Sequence, residues 1–169
     1  MDKIVNWIKF IFNINIILFA YQELKRLITG RMIIHEVVKG LYQSSKYCSK
    51  DFETLGALKI GAIIDLEGGE DDLPSSVGKT NYKYWSIKDE PVLPDLNELL
   101  KVAKWGFNKW KGGKVLLVHC AAGHNRSGLV TGRILVLSGM NGKEAVALVQ
   151  KKVPGALSNY VFREYLESL

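Results

Sequence analysis

Short apolar runs alternate with longer amphipathic segments from Val37 to the end of the chain. The apolar runs lie at residues 37–38, 41–42, 60–66, 82–87 and 115–118. Runs of this kind, bounded by polar turns, predict β-strands. The helix-length segments lie around residues 51–59, after Pro94, and at residues 127–138, 143–152 and 158–169. The alternation predicts one α/β domain with a central mixed sheet of four to five strands flanked by helices.

The helix that follows Pro94 has the clearest start and stop signals in the chain. Asp95 is placed to cap its first turn, and Glu98 follows at the spacing of a reciprocal capping contact. Gly112 and Gly113 end the helix. We therefore predict that Asp95 has a structural role as the helix N-cap.

Residues 1–34 have a pattern of their own, both apolar and basic. Their uncharged run, from Phe10 to Gln22, has 13 residues, whereas a membrane span needs about 20. Lys25, Arg26 and Arg31 follow it and suit anionic lipid headgroups. We predict an amphipathic or membrane-facing helix here, with a helix docked on the domain as the alternative. The predicted division is therefore residues 1–34 and a main domain over residues 35–169.

Charge and cysteine content narrow the choice of partner and compartment. The 169 residues carry a net charge of +6, which suits an anionic partner such as a phosphorylated substrate, a nucleic acid or a membrane surface. The two cysteines, Cys48 and Cys120, form no disulfide framework, and no cysteine or histidine cluster has zinc-site spacing. We expect a cytoplasmic protein without metal or cofactor, and a solvated loop at the acidic turn of residues 67–72.

The segment around Cys120 carries the strongest chemical signal. Cys120 lies at the end of an apolar strand and directly before a helix. Unpaired N–H groups at a helix N-terminus stabilise a thiolate and form a cradle for an oxyanion. Glycine in such a cradle lets the backbone bend without a Cβ clash. We predict a nucleophilic cysteine followed by a phosphate-binding loop of Ala121, Ala122, Gly123, His124 and Asn125.

Three neighbours of this loop have predicted roles of their own. Arg126 follows Cys120 by six positions, so a tight loop places its planar guanidinium opposite the sulfur, where it clamps phosphate with two hydrogen bonds. Ser127 is placed to donate a hydrogen bond to the sulfur when the sulfur leaves phosphorus. His119 is expected to order the loop through hydrogen bonds.

The run His119-Cys120-x5-Arg126-Ser127 resembles the signature of the cysteine-dependent protein tyrosine phosphatase superfamily, in particular its small dual-specificity-like members. The resemblance covers roughly residues 36–169 and includes the segments 38–44, 63–66 and 159–162. It implies that Cys120 is the nucleophile, that Arg126 binds phosphate and that Ser127 assists the leaving thiolate.

This family also needs a general acid on a loop across the pocket, because the leaving oxygen takes a proton. Asp89 lies 31 residues before Cys120, just after an apolar run, where the family carries its acid loop. Glu90 and Asp95 are the competing carboxylates. The resemblance thus implies Cys120, Arg126, Ser127 and Asp89 as the catalytic set.

The residues between Cys120 and Arg126 bear on the substrate. They include no lysine or arginine, whereas inositol-lipid phosphatases of the superfamily often have basic residues there, so a phosphorylated protein is the predicted substrate. A phosphoinositide phosphatase at a membrane is an alternative. An RNA 5′-triphosphatase is a second alternative, because residues 123–128 are similar to the loop of cysteine-phosphatase-like capping enzymes. Against it, the chain has no aromatic and basic strand pattern to support nucleic-acid binding. A catalytically inactive phosphate-binding module is the third.

Overall fold

The computed structural model describes residues 17–18, 20–22 and 24–169. Its five strands form one sheet in the order β1-β2-β5-β3-β4. β1 is antiparallel to β2, whereas the remaining neighbours are parallel. The predicted mixed sheet of four to five strands is therefore confirmed. The strands are β1 (Ile34–Val38), β2 (Leu41–Ser44), β3 (Ile60–Asp65), β4 (Tyr82–Tyr84) and β5 (Val115–His119).

Helices flank this sheet, as the sequence predicts. After β1 they are α1 (Phe52–Ala57), α2 (Leu96–Lys111), α3 (Asn125–Leu137), α4 (Gly142–Lys152) and α5 (Tyr160–Glu167). Asp95 caps α2, because its carboxylate accepts hydrogen bonds from the N–H groups of Asn97 at 2.8 Å and Glu98 at 3.1 Å. The Glu98 carboxylate contacts Lys101 Nζ at 2.6 Å. The N-cap prediction is thus confirmed, while Glu98 forms an ion pair within the helix.

β5 is the central strand and is buried on both faces. Leu116 and Val118 point into the larger core beneath α2 to α5, and Leu117 points into the smaller core on the other face of the sheet. Successive side chains of a strand alternate between faces, so a strand covered on both sides is apolar throughout. This packing fixes the carboxyl end of β5, and Cys120 follows directly.

β4 is shorter than its apolar run predicts. The strand ends at Tyr84, whereas the run continues to residue 87. The reason lies in its neighbour, since β3 ends at Asp65, whose carbonyl accepts the Trp85 N–H at 2.9 Å. Beyond that point β4 has no ladder partner. Residues 85–95 therefore form an irregular loop, and this loop carries Asp89.

The residues before β1 include helical turns, at residues 17–18, 20–22 and 24–29. Ile17, Tyr21, Leu24 and Ile28 form one stripe of this surface and are between 56% and 74% exposed. Tyr21 also lines a cleft of about 300 Å³ against the start of β1, together with Gln22 and Lys25. None of the helices in the described part of the chain is long and apolar enough to cross a membrane. The predictions for residues 1–16 fall outside the described residues.

Candidate active site

Cys120 lies between the carboxyl end of β5 and the start of α3, and its side chain is only 1% exposed. The Gly123 N–H donates a hydrogen bond to Cys120 Sγ at 3.3 Å. The Ser127 hydroxyl oxygen lies 3.4 Å from the same sulfur, so the hydroxyl is placed to donate to a thiolate. Both groups can therefore donate to the sulfur when it carries negative charge, as an attacking or departing thiolate does.

The loop after Cys120 is pressed against the end of β2. Gly123 has φ +80°, and a Cβ on it would lie 2.5 Å from the Ser45 nitrogen and 2.6 Å from the Ser44 carbonyl carbon. A side chain is therefore excluded by the backbone of the neighbouring strand as well as by the left-handed conformation. Gln43 Nε2 donates to the Gly123 carbonyl at 2.9 Å. These contacts hold the loop in a fixed curve around the sulfur.

Arg126 reaches from the first turn of α3 toward the loops that follow β3 and β4. Its Nη1 donates to the carbonyls of Leu66 at 3.2 Å and Ile87 at 3.4 Å, and its Nη2 lies 3.5 Å from Glu67 Oε1. Its Nε is buried and has no hydrogen-bond partner among the residues that the structure describes. The guanidinium is thus fixed in orientation and keeps a desolvated donor for an oxyanion.

The acidic turn after β3 is exposed at residues 68–70 and 72, as its composition predicts, but not at Glu67 and Asp71. The side chain of Glu67 is 17% exposed and that of Asp71 is 8% exposed. Lys46 Nζ lies 3.4 Å from Glu67 and 3.1 Å from Asp71, while Arg126 holds the other oxygen of Glu67. The two cations account for the burial. Glu67 and Lys46 are members of the site that sequence reasoning missed, and the position of Glu67 just beyond the end of β3 is the signal that could have found it.

His119 is a buried, neutral packing residue. Burial lowers its pKa to about 4, and nearby Lys46 and Arg126 also favour the neutral ring against the opposing effect of Asp65. Its ring meets the Tyr47 ring edge-on at 4.9 Å. Neither ring nitrogen has a hydrogen-bond partner among the described residues. The expectation that His119 orders the loop through hydrogen bonds is therefore not met.

Asp65, Asp71 and His119 form a buried group whose ligand-type atoms lie within 4.8 Å of one another. The oxygens of Asp65 already accept hydrogen bonds from the Glu67 N–H, at 2.8 Å, and from the Tyr82 hydroxyl. Asp71 is paired with an ammonium group. Both oxygens of Asp65 and one oxygen of Asp71 thus have partners, while Asp71 Oδ2 has no hydrogen-bond partner among the described residues, and we assign no metal to the group.

The neutral state of His119 makes stability depend on pH. The pKa of His119 is about 4 in the folded chain and about 6.5 when unfolded. Between these two pH values the unfolded chain binds more protons than the folded chain. The contribution of His119 to the free energy of unfolding is therefore complete above about pH 6.5 and is lost as the pH falls toward about 4. We expect the free energy of unfolding to fall by up to about 3 kcal/mol across this window. The raised pKa of Asp71, caused by burial, opposes this at the acidic end.

Urea unfolding of wild type and His119→Gln, at about pH 7 and about pH 5, measures this effect. The substituted chain should show a smaller loss of stability between the two pH values. An equal loss in both proteins would assign the acid sensitivity to other groups.

Asp89 is exposed, yet its carboxylate has two protein partners. Asn125 Nδ2 donates to one oxygen at 3.1 Å, and Asn159 Nδ2 donates to the other at 3.3 Å. The Asn125 side-chain oxygen accepts from the Ser158 hydroxyl and the Asn159 N–H, both at 3.0 Å. The amide of Asn125 is therefore engaged by Asp89 and by residues 158–159, and only its backbone is left for the predicted cradle.

The competing carboxylates have other partners. Glu90 is paired with Lys88 at 3.6 Å and its side chain is 57% exposed, and Asp95 caps α2. The rest of the cradle is held by backbone contacts: the Ala121 carbonyl accepts from the Lys46 N–H at 3.1 Å, and the His124 carbonyl from the Leu157 N–H at 3.4 Å. Ala122 and His124 are half-buried. Of the three carboxylates, Asp89 is the one that hydrogen bonds tie to the Cys120 loop.

Comparison with known proteins shows similarity to phosphatases in sequence and in fold. No family model matches the chain. It is 27% identical over 132 residues to human dual specificity protein phosphatase 15, an alignment that covers 78% of this chain and 44% of that protein. A crystal structure of DUSP15 superposes with a TM-score of 0.69 at 25% identity, covering 80% of this chain and 85% of the other. The human tyrosine phosphatase-like serine/threonine/tyrosine-interacting protein has the same fold, with a TM-score of 0.69 at 21% identity over 80% and 93% of the two chains.

These similarities, together with the run from His119 to Ser127, match the chain to the cysteine-dependent phosphatases in fold and in sequence pattern. The chain is similar in sequence to a dual-specificity protein phosphatase and shares the fold of this class. It spans less than half the length of the curated relative that it matches.

Proposed function

We propose that this protein hydrolyses phosphate monoesters on protein tyrosine, serine or threonine through a thiophosphate intermediate on Cys120. Cys120 Sγ attacks phosphorus, the bond to the leaving oxygen breaks, and Asp89 gives that oxygen its proton. Water then attacks phosphorus, the sulfur–phosphorus bond breaks, and Asp89 takes up a proton from the water. Ser127 donates to the departing thiolate, and inorganic phosphate leaves.

The observation that carries this proposal is a buried sulfur with hydrogen-bond donors directed at it, followed six positions later by a guanidinium that is fixed in orientation. Cys120 Sγ has two donors within 3.4 Å. Arg126 is fixed by Leu66 and Ile87, and its Nε is unpaired within residues 17–18, 20–22 and 24–169. Charge on the equatorial oxygens of a transferring phosphoryl group is stabilised by donors that need no reorganisation. The backbone N–H groups of the loop and Arg126 supply such donors.

The choice of phosphoprotein rests on what surrounds the loop. Its residues include no lysine or arginine, and the nearby Lys46 is already paired with Glu67 and Asp71. A substrate with additional phosphates, such as an inositol lipid, would have no unpaired lysine or arginine to bind them within residues 121–125 of the loop. The RNA alternative loses part of its basis, because the Asn125 side chain is used by Asp89 and the segment 158–159.

The proposal is tested by measuring phosphate release in the presence of EDTA. The substrates to compare are phosphotyrosine and phosphothreonine peptides, a phosphoinositide and triphosphate-ended RNA. The expected result is turnover of the peptides that EDTA does not reduce, with a phosphocysteine trapped by acid quenching. Preference for the lipid or the RNA would select that alternative. Absence of turnover on every substrate would favour a phosphate-binding protein and overturn the enzymatic proposal.

We also propose that the helical residues before β1 rest on an anionic membrane surface while the domain remains in the cytoplasm. Ile17, Tyr21, Leu24 and Ile28 present an exposed apolar stripe, and Lys25 and Arg31 supply positive charge near it. Apolar residues bordered by cations are the pattern of interfacial helices.

Sedimentation with phosphatidylserine vesicles should capture the wild-type chain, whereas phosphatidylcholine vesicles should capture much less. Leu24→Glu together with Ile28→Glu should reduce binding about tenfold or more, because two apolar side chains no longer enter the lipid. Leu169→Glu, at an exposed leucine of the C-terminus, is the matched control. Equal binding by both variants, or none by the wild type, would rule the membrane contact out.

A further inference from the structure

The loop that carries Asp89 is hydrogen-bonded to the rest of the site at three of its residues, Ile87, Asp89 and Glu90. The Ile87 carbonyl accepts a hydrogen bond from Arg126 at 3.4 Å. The Asp89 carboxylate is held by Asn125 and Asn159, and the Glu90 carbonyl accepts from Asn159 Nδ2 at 2.8 Å. Since residues 85–95 have no ladder of their own, these side-chain contacts replace the backbone pairing that would otherwise position the loop.

The side-chain amide of Asn159 connects the loop that carries Asp89 to the first turn of α5. Its side-chain oxygen caps α5 by accepting from the Val161 and Phe162 N–H groups at 3.2 and 3.5 Å. Its side-chain nitrogen donates to Asp89 and Glu90. Phe162 is fully buried in the core, so the cap is anchored. Asn159 therefore connects the acid loop to a rigid part of the domain.

Asn125 connects the same carboxylate to the phosphate-binding loop. It lies directly before Arg126 and is the first residue of α3. Its side-chain nitrogen donates to Asp89, and its oxygen accepts from Ser158 and Asn159. These hydrogen bonds thus direct the Asn125 side chain to the acid loop and to the turn before α5.

An exposed carboxylate without partners samples many rotamers, and a proton donor displaced by about 1 Å loses a large part of its effect. Two amides that hold both oxygens remove this freedom. They also leave the acid loop close to the Cys120 loop before any substrate arrives.

We propose that Asn125 and Asn159, the amide clamp, are positioning residues that hold Asp89 in place for proton transfer to the leaving oxygen. The two side-chain amides act through Asp89 and do not touch the substrate. This inference rests on the proposed function, in which Asp89 is the general acid. It assigns to Asn125 a role different from phosphate contact.

Leaving-group dependence provides the test, because a poor leaving group needs the proton and a good one does not. The measurement is the ratio of kcat on phenyl phosphate to kcat on dinitrophenyl phosphate. Asn159→Ser keeps an oxygen that can cap α5 and removes the amide donor. We expect it to lower the ratio about tenfold, and Asn125→Ala to lower it by a similar factor.

Asn141→Ser is the matched control, because Asn141 caps α4 by accepting from the Glu144 N–H at 2.9 Å. It should leave the ratio unchanged. In a double-mutant cycle, either clamp substitution added to Asp89→Ala should cause no further change, since the group that it positions is gone.

The outcomes of these measurements distinguish the amide clamp from the proposal that Asp89 is the general acid. A ratio that falls in Asp89→Ala but stays at the wild-type value in both clamp variants overturns the clamp and leaves Asp89 as the acid. A ratio that Asp89→Ala itself does not lower removes Asp89 from the mechanism, and the clamp with it. Further loss on adding a clamp substitution to Asp89→Ala would show that the asparagines act on something other than Asp89.

Discussion

Cys120→Ser should abolish turnover while the phosphate site survives. A serine hydroxyl in this position remains protonated at neutral pH and lacks the nucleophilicity of a thiolate. The loss on a phosphotyrosine peptide should therefore be about 10⁵-fold, a factor typical of removing a catalytic nucleophile. The rest of the cradle does not depend on the sulfur, because Gly123 is held by Gln43 and by the backbone of residues 44–45.

Binding and chemistry are separated by measuring both in the same variant. Tungstate, a phosphate mimic, should raise the Tm of wild type and of Cys120→Ser. Cys48→Ser is the matched control, since Cys48 is the other free cysteine and is exposed, and it should keep full activity. Turnover by Cys120→Ser at the wild-type rate would sink the assignment of the nucleophile. Loss of activity in Cys48→Ser would point to a role for that thiol instead.

The parts of the site that lie close together in sequence were predictable. The run before Cys120 is apolar because β5 is covered on both faces, and the loop that follows must curve tightly within a few residues. A local pattern of this kind contains both the element and its chemistry. The strand, the turn after it that holds Cys120 and the start of the helix that holds Arg126 could thus be located from the amino-acid sequence alone.

The parts that depend on sheet order were not predictable. Glu67 belongs to a turn rich in acids and glycine, a composition typical of a solvated loop. It meets Arg126, 59 positions away, because β3 lies beside β5 and both carboxyl ends open at one edge. The contacts of Asp89 with Asn125 and Asn159 span 36 and 70 positions. No periodicity in a single segment indicates such pairings.

Arg126→Lys should lower kcat/KM on a phosphopeptide about 10³-fold although the positive charge is kept. The guanidinium contacts the carbonyls of Leu66 and Ile87 and the carboxylate of Glu67, while its Nε has no hydrogen-bond partner in the described part of the chain. An ammonium group has one nitrogen and cannot keep those contacts and also clamp two phosphate oxygens. The factor corresponds to the loss of preorganised donors at a transition state, which is about 10² to 10³ for each donor.

The charge-conserving substitution separates geometry from electrostatic attraction. Arg126→Ala removes both, so it should be more severe than Arg126→Lys, and the difference measures what charge alone contributes. Arg31→Lys, at an arginine paired with Asp51 at 3.7 Å, provides the control and should leave kcat/KM unchanged. If Arg126→Lys kept wild-type kcat/KM, attraction by a point charge would suffice, and the fixed orientation of the guanidinium by Leu66, Ile87 and Glu67 would have no catalytic consequence.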